Sequence, residues 1–68
     1  MDKEILIVDD DLSFRNRLSR SMEKKGFIVE SFSNIKSTSE RIKEKNFDYA
    51  VVDMRLEDGS GLELIKLI

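Results

Sequence analysis

The sequence has 68 residues, 40% of them apolar and 38% charged, with 12 basic and 14 acidic side chains and neither cysteine nor histidine. That length holds one small domain, and the composition excludes disulfide staples and makes a structural zinc site very unfavourable. A net charge of −2 with both signs interspersed gives no electrostatic footprint for nucleic acid, and the apolar run from Ile5 to Val8 is far too short to cross a membrane.

Met1-Asp2-Lys3-Glu4 lacks the basic start and long apolar stretch of a secretory signal, so the cytoplasm is the expected compartment and no membrane partner is expected. Ile5-Leu6-Ile7-Val8 then forms a continuously apolar, β-branched run that stops at Asp9-Asp10-Asp11, the pattern of a parallel strand covered on both faces (residues 4–8). Phe14, Leu18 and Met22 recur every four residues, with Asp11 placed to cap the N-terminus, Lys24-Lys25 in the last turn and Gly26 at the left-handed stop. These signals predict a helix over 12–25. A second strand is expected over 27–32, carrying Ile28, Val29 and Phe32, with Ser33 or Asn34 as the cap of a second helix. That helix, over 35–45, has only Ile35 and Ile42 as large apolar residues, two turns apart on one face, and so is expected to be a thin, mobile cover.

A third strand over 47–53 contains Tyr49-Ala50-Val51-Val52 and closes on Asp53, repeating the apolar-run-then-carboxylate pattern of the first. Glu57-Asp58-Gly59-Ser60-Gly61 reads as a loop, and Leu62, Leu64, Ile65 and Ile68 mark a third helix over 60–68. Strand and helix alternating three times implies an α/β domain with parallel strands joined by right-handed crossovers. All the C-terminal strand ends then share one edge, so Asp9, Asp10 and Asp53 converge there if the first and third strands are neighbours.

Carboxylates crowded at one edge repel unless a cation offsets them. Oxygen donors without histidine or cysteine suit Mg²⁺, which keeps several waters and takes one or two carboxylates together with phosphate oxygens. Beside such an ion one carboxylate can act as a nucleophile on phosphorus, because phosphoryl transfer asks the protein chiefly for positioning and charge compensation. Each acid has an ordinary explanation when taken alone, as a helix cap for Asp11 or as turn chemistry for Asp9, Asp10 and Asp53. Their combination at this spacing is what points to a site.

Ile5-Leu6-Ile7-Val8-Asp9-Asp10-Asp11, Tyr49-Ala50-Val51-Val52-Asp53-Met54-Arg55-Leu56 and Gly61, eight positions past Asp53, together resemble the receiver domain of two-component response regulators over the whole chain. The resemblance implies a flavodoxin-like (βα)3 unit with strands in order 2-1-3, a partial receiver domain over 1–68 lacking the last two βα units. It implies Asp53 as phosphoacceptor, a histidine kinase as phosphodonor, and Mg²⁺ bound by Asp10, Asp53 and the backbone carbonyl of Arg55, with Asp9 acting through water. Asp53 to Gly61 looks most like the redox-responsive global regulators of proteobacteria, in which a separate C-terminal helix-turn-helix contacts DNA. The loop of Glu57, Gly59 and Gly61 departs from the family at Glu57, where most receivers have proline. The Ser/Thr and Lys that close the family's fourth and fifth strands are not among these residues, so phosphotransfer by the 68 residues is expected to be weak and the switch inoperative.

Burial and ordering roughly cancel in a chain of this size. Self-association through the open edge of the third strand is therefore expected, as a homodimer or higher assembly. Two other readings stand beside this one. Asp9-Asp10-Asp11 after a strand also looks like the opening of haloacid-dehalogenase-type phosphohydrolases, with Asp9 as nucleophile and Asp11 as general acid. The chain can also be read as a self-associating structural half-domain with an idle acidic site.

Overall fold

The computed structural model describes residues 3–67. Strand β1 (Glu4–Val8) leads to helix α1 (Leu12–Lys24), β2 (Ile28–Phe32), α2 (Ile35–Glu44) and β3 (Tyr49–Val52), followed by the short strands β4 (Arg55–Leu56) and β5 (Gly59–Ser60) and a single turn, α3 (Leu62–Ile65). The three longer strands form one parallel sheet in the order β2-β1-β3.

β1 is apolar at four consecutive positions because it is the central strand: Ile5, Leu6, Ile7 and Val8 are all buried. Alternation sends Leu6 and Val8 to one face and Ile5 and Ile7 to the other. Leu6 and Val8 pack with Leu56 and Leu64, flanked by Phe32, Ile35, Ile42, Phe47 and Val52, so α2 and α3 share that face. α1 packs against β2 and β1. Right-handed crossovers to strands on either side of β1 place it on the opposite face from α2. Asp11 caps α1 by accepting the Phe14 amide at 3.1 Å, and Gly26 takes the positive φ of 96° that ends the helical segment.

Beyond single-residue shifts, with α1 ending at 24 and not 25, β2 starting at 28 and not 27, α2 ending at 44 and not 45 and β3 ending at 52 and not 53, three sequence expectations require correction. The segment 57–61 is not a plain loop: Arg55–Leu56 pairs antiparallel with Gly59–Ser60, closing a two-residue hairpin with Glu57 and Asp58 at its turn. α3 accordingly begins at Leu62 rather than at 60, because Ser60 is held in the hairpin; Ile68 lies outside the described residues. The third strand starts at Tyr49 rather than at 47, since Phe47 turns into the core and the Asp48 carboxylate accepts the Glu4 amide at 2.8 Å.

The thin helix α2 is fastened by polar contacts at both ends. Asn34 accepts the Ser37 amide at 2.9 Å, and the fully buried Thr38 donates its hydroxyl to the Asn34 carbonyl at 2.7 Å. Near the other end Arg41 bonds Glu30 on β2 through two nitrogens, at 2.7 and 3.0 Å, and Lys45 reaches both Glu30 and Glu4. The Arg41 guanidinium, with Lys45 beside it, holds the Glu30 carboxyl down at about 2. Glu4 and then Glu30 raise the Lys45 ammonium above its ordinary range. Among the described residues no helix is long and apolar enough to cross a membrane.

Candidate functional site

The sheet ladder itself brings the acidic segments together. The Asp53 amide donates to the Val8 carbonyl at 2.9 Å and the Asp9 amide to the Phe32 carbonyl at 3.1 Å, so the residues just past β1 and β3 stand side by side at the C-terminal edge. Each carboxylate is then fixed by its own turn. Asp9 Oδ1 accepts the Asp11 amide at 2.8 Å, and Asp53 Oδ1 accepts the Arg55 amide at 3.1 Å. These two-residue bonds are the local chemistry that aspartate favours at strand ends.

Asp9, Asp10 and Asp53 each present a carboxylate oxygen, and the three atoms lie within 4.8 Å of one another. Asp9 and Asp53 are half-buried and Asp10 is exposed. An all-oxygen set of this size fits a hard divalent cation and offers nothing to a soft one. Asp11 does not belong to the cluster; its carboxylate is occupied at the α1 cap. A cavity of about 310 Å³ at the opposite edge is lined by Lys3, Lys25, Gly26 and Phe27, carries no carboxylate, and plays no part in this arrangement.

Two residues that sequence reasoning missed shape this edge. Arg15 reaches back from the first turn of α1 to donate to the Asp9 carbonyl at 2.7 Å, so a cation is held on the backbone of this edge. Asp58, at the hairpin turn, accepts the amides of Ile35 at 2.8 Å and Lys36 at 3.1 Å. Those amides, the Ile35 amide foremost, hold the Asp58 carboxyl below its ordinary range. Arg15 was hidden because it reads as an ordinary helical surface cation. Asp58 was hidden because its partners lie more than twenty positions away.

The predicted loop residues fall around the end of β3. Glu57 is exposed at the turn, Gly59 has a φ of 146° and packs on Ile35, and buried Gly61 lies against the Asp53 backbone while its amide donates to the Met54 carbonyl at 3.0 Å.

Comparison with known proteins supplies the context. Residues 5–68 match the response regulator receiver domain family. The chain is 46% identical over 67 residues to the acid tolerance regulatory protein ActR of Rhizobium meliloti, a match covering 98% of this chain and 34% of the relative. It is 42% identical over 67 residues to the photosynthetic apparatus regulatory protein RegA of Rhodobacter capsulatus, covering 98% of this chain and 36% of the relative. The chain thus spans about a third of the length of these curated relatives. It superposes with a TM-score of 0.89 and 33% identity on a response regulator protein from Burkholderia pseudomallei whose crystal structure contains a phosphorylated aspartic acid, a calcium ion and citrate. That match covers 97% of this chain and 39% of the other.

Proposed function

The chain belongs to the response regulator receiver domain family, and from that premise we propose that it accepts a phosphoryl group from a histidine kinase onto Asp53 with Mg²⁺ at the acidic edge. The observation that carries this reading is the convergence of Asp9, Asp10 and Asp53, drawn from segments more than forty positions apart, within a span of 4.8 Å. Asp10, Asp53 and the backbone carbonyl of Arg55 would hold the ion, with Asp9 acting through water. When bound, the ion offsets the charge that builds up as anionic oxygens meet.

The chain's own residues supply position. The Arg55 amide on Asp53 Oδ1 fixes the carboxylate and leaves Oδ2 as the attacking atom. A bond forms between that oxygen and phosphorus while the donor's phosphorus–nitrogen bond breaks, giving an acyl phosphate and returning the imidazole. The chain is a signalling module in this reading, and any self-catalysed transfer or hydrolysis is secondary. Phosphotransfer by these 68 residues alone is expected to be slow, since the further hydroxyl and ammonium that the family places on the phosphoryl oxygens are not among them. DNA contact is assigned to the two thirds of the relatives' length that the chain does not span.

Titration and mapping test the proposal together. Mg²⁺ should bind at roughly millimolar levels, about 4 kcal/mol, and binding should disappear in Asp10→Asn. Treatment with acetyl phosphate and subsequent peptide mapping should place the label on Asp53. Label on Asp9 would instead favour the phosphohydrolase reading, and an unlabelled chain that binds no Mg²⁺ would leave the idle structural module.

A further inference from the structure

We infer that Asp58 is a positioning residue for the acidic site, clamping the acceptor-loop hairpin to the first turn of α2 so that Asp53 stays within reach of Asp9 and Asp10. This rests on the Mg²⁺ site proposed above but concerns a group that touches neither the ion nor the phosphoryl group.

The contacts run in a ring around the edge. Asp9 is tied to the end of β2 through the Phe32 carbonyl, and Phe32 leads directly into the cap and first turn of α2. The Ile35 and Lys36 amides of that turn both donate to Asp58, one to each carboxylate oxygen, at 2.8 and 3.1 Å. Asp58 sits at the turn of the hairpin that begins at Arg55, and the Arg55 amide is bonded to the Asp53 carboxylate. β1 closes the circuit, since the Asp53 amide is bonded to the Val8 carbonyl next to Asp9. Of the links in this ring, only the Asp58 carboxylate bridges the hairpin and α2 by hydrogen bonds. Gly59 adds steric contact at the same place, because a Cβ there would come within 2.8 Å of Ile35 Cδ1.

The chemistry suits a clamp. A carboxylate across two free amides at a helix start makes charge-assisted bonds and meets the positive end of the helix dipole. The hairpin is held by a tether to a neighbouring element as well as by its own antiparallel pairing.

The test separates a clamp from mere helix stabilisation. Asp58→Ala, Asp58→Asn and Asn34→Ala are compared with the parent in the full chain, by NMR titration with Mg²⁺ alone, by amide hydrogen exchange, and by thermal unfolding. Asn34→Ala removes the other cap of α2, on the Ser37 amide, without touching the hairpin. Asp58→Ala should weaken Mg²⁺ binding by roughly five-fold or more, the size of a modest coupling between sites, and speed exchange at the Arg55 and Gly61 amides. Asp58→Asn, which keeps one acceptor oxygen, should fall between. Asn34→Ala should lower thermal stability yet leave the affinity at the parent value. Equal loss of affinity in Asp58→Ala and Asn34→Ala, or none in Asp58→Ala, would overturn the clamp. Absence of Mg²⁺ binding in the parent would overturn the site itself, and exchange at Arg55 and Gly61, which needs no metal, would still decide whether Asp58 holds the loop.

Discussion

Gly61 approaches the backbone carbonyl of Asp53 so closely that a Cβ would overlap that oxygen and crowd Val52 Cγ1 at 2.9 Å. Its φ of −59° is one that any residue can adopt, so the demand for glycine here is one of space, not of backbone freedom. The neighbours that would have to yield are main-chain atoms at the end of β3, the least compliant atoms near the site. Gly61→Ala should therefore cost about 1–3 kcal/mol in urea unfolding, the range for overpacking a filled site. It should also slow the proposed labelling of Asp53 by acetyl phosphate, because relief comes only by shifting the end of β3 or the start of α3. Parent-like stability and labelling would mean that the strand end gives way freely. The glycine was visible in the sequence as a spacing from Asp53; that it serves as a spacer against the Asp53 carbonyl needed coordinates.

At the scale of elements, α2 shows most clearly where sequence reading stops. Its sparse apolar residues suggested a loosely held cover, yet Glu30, Arg41 and Lys45 bind one end and Asp58 the other. The Glu30 carboxyl titrates near 2 in the folded chain against an ordinary 4.5, with Arg41 the main cause. A lowered carboxylate adds stability that is complete above the unfolded value and is lost as pH falls from 4.5 towards 2. For a side chain still 24% exposed, solvent screening reduces this to about 1 kcal/mol. The stability difference between parent and Glu30→Gln should then be about that size at pH 7 and vanish near pH 2, as measured by urea unfolding across the range. A difference that is flat with pH would assign the effect to packing. β1, α1 and the parallel order were legible because a run buried on both faces and a four-residue repeat are local patterns. The hairpin, the Arg15 contact and both anchors of α2 were not, because each depends on which distant residues the fold brings together. The three acids were legible as a cluster only through the topology that aligns their strand ends.

For the molecule as a whole, the open edge of β3 is where further pairing is expected. One edge of β3 pairs with β1, and among the described residues no strand pairs with the other. Tyr49 and Val51, on the sheet face where α1 packs mainly against β2 and β1, remain 47% and 42% exposed. Unpaired amides and carbonyls beside bare apolar side chains are a template for another strand. A second copy of the chain can supply such a strand. The isolated chain should therefore sediment as a dimer or larger at micromolar concentration, and Val51→Lys, which sets a charge on the bare face beside the open edge, should shift it towards monomer. Because Val51 lies on the face opposite the Leu6, Val8, Leu56 and Leu64 cluster and is already part-exposed, the lysine can reach water without breaking that core. A folded monomer at every concentration in the parent would show that the thin core holds by itself, and that the acidic edge forms without help from a neighbour.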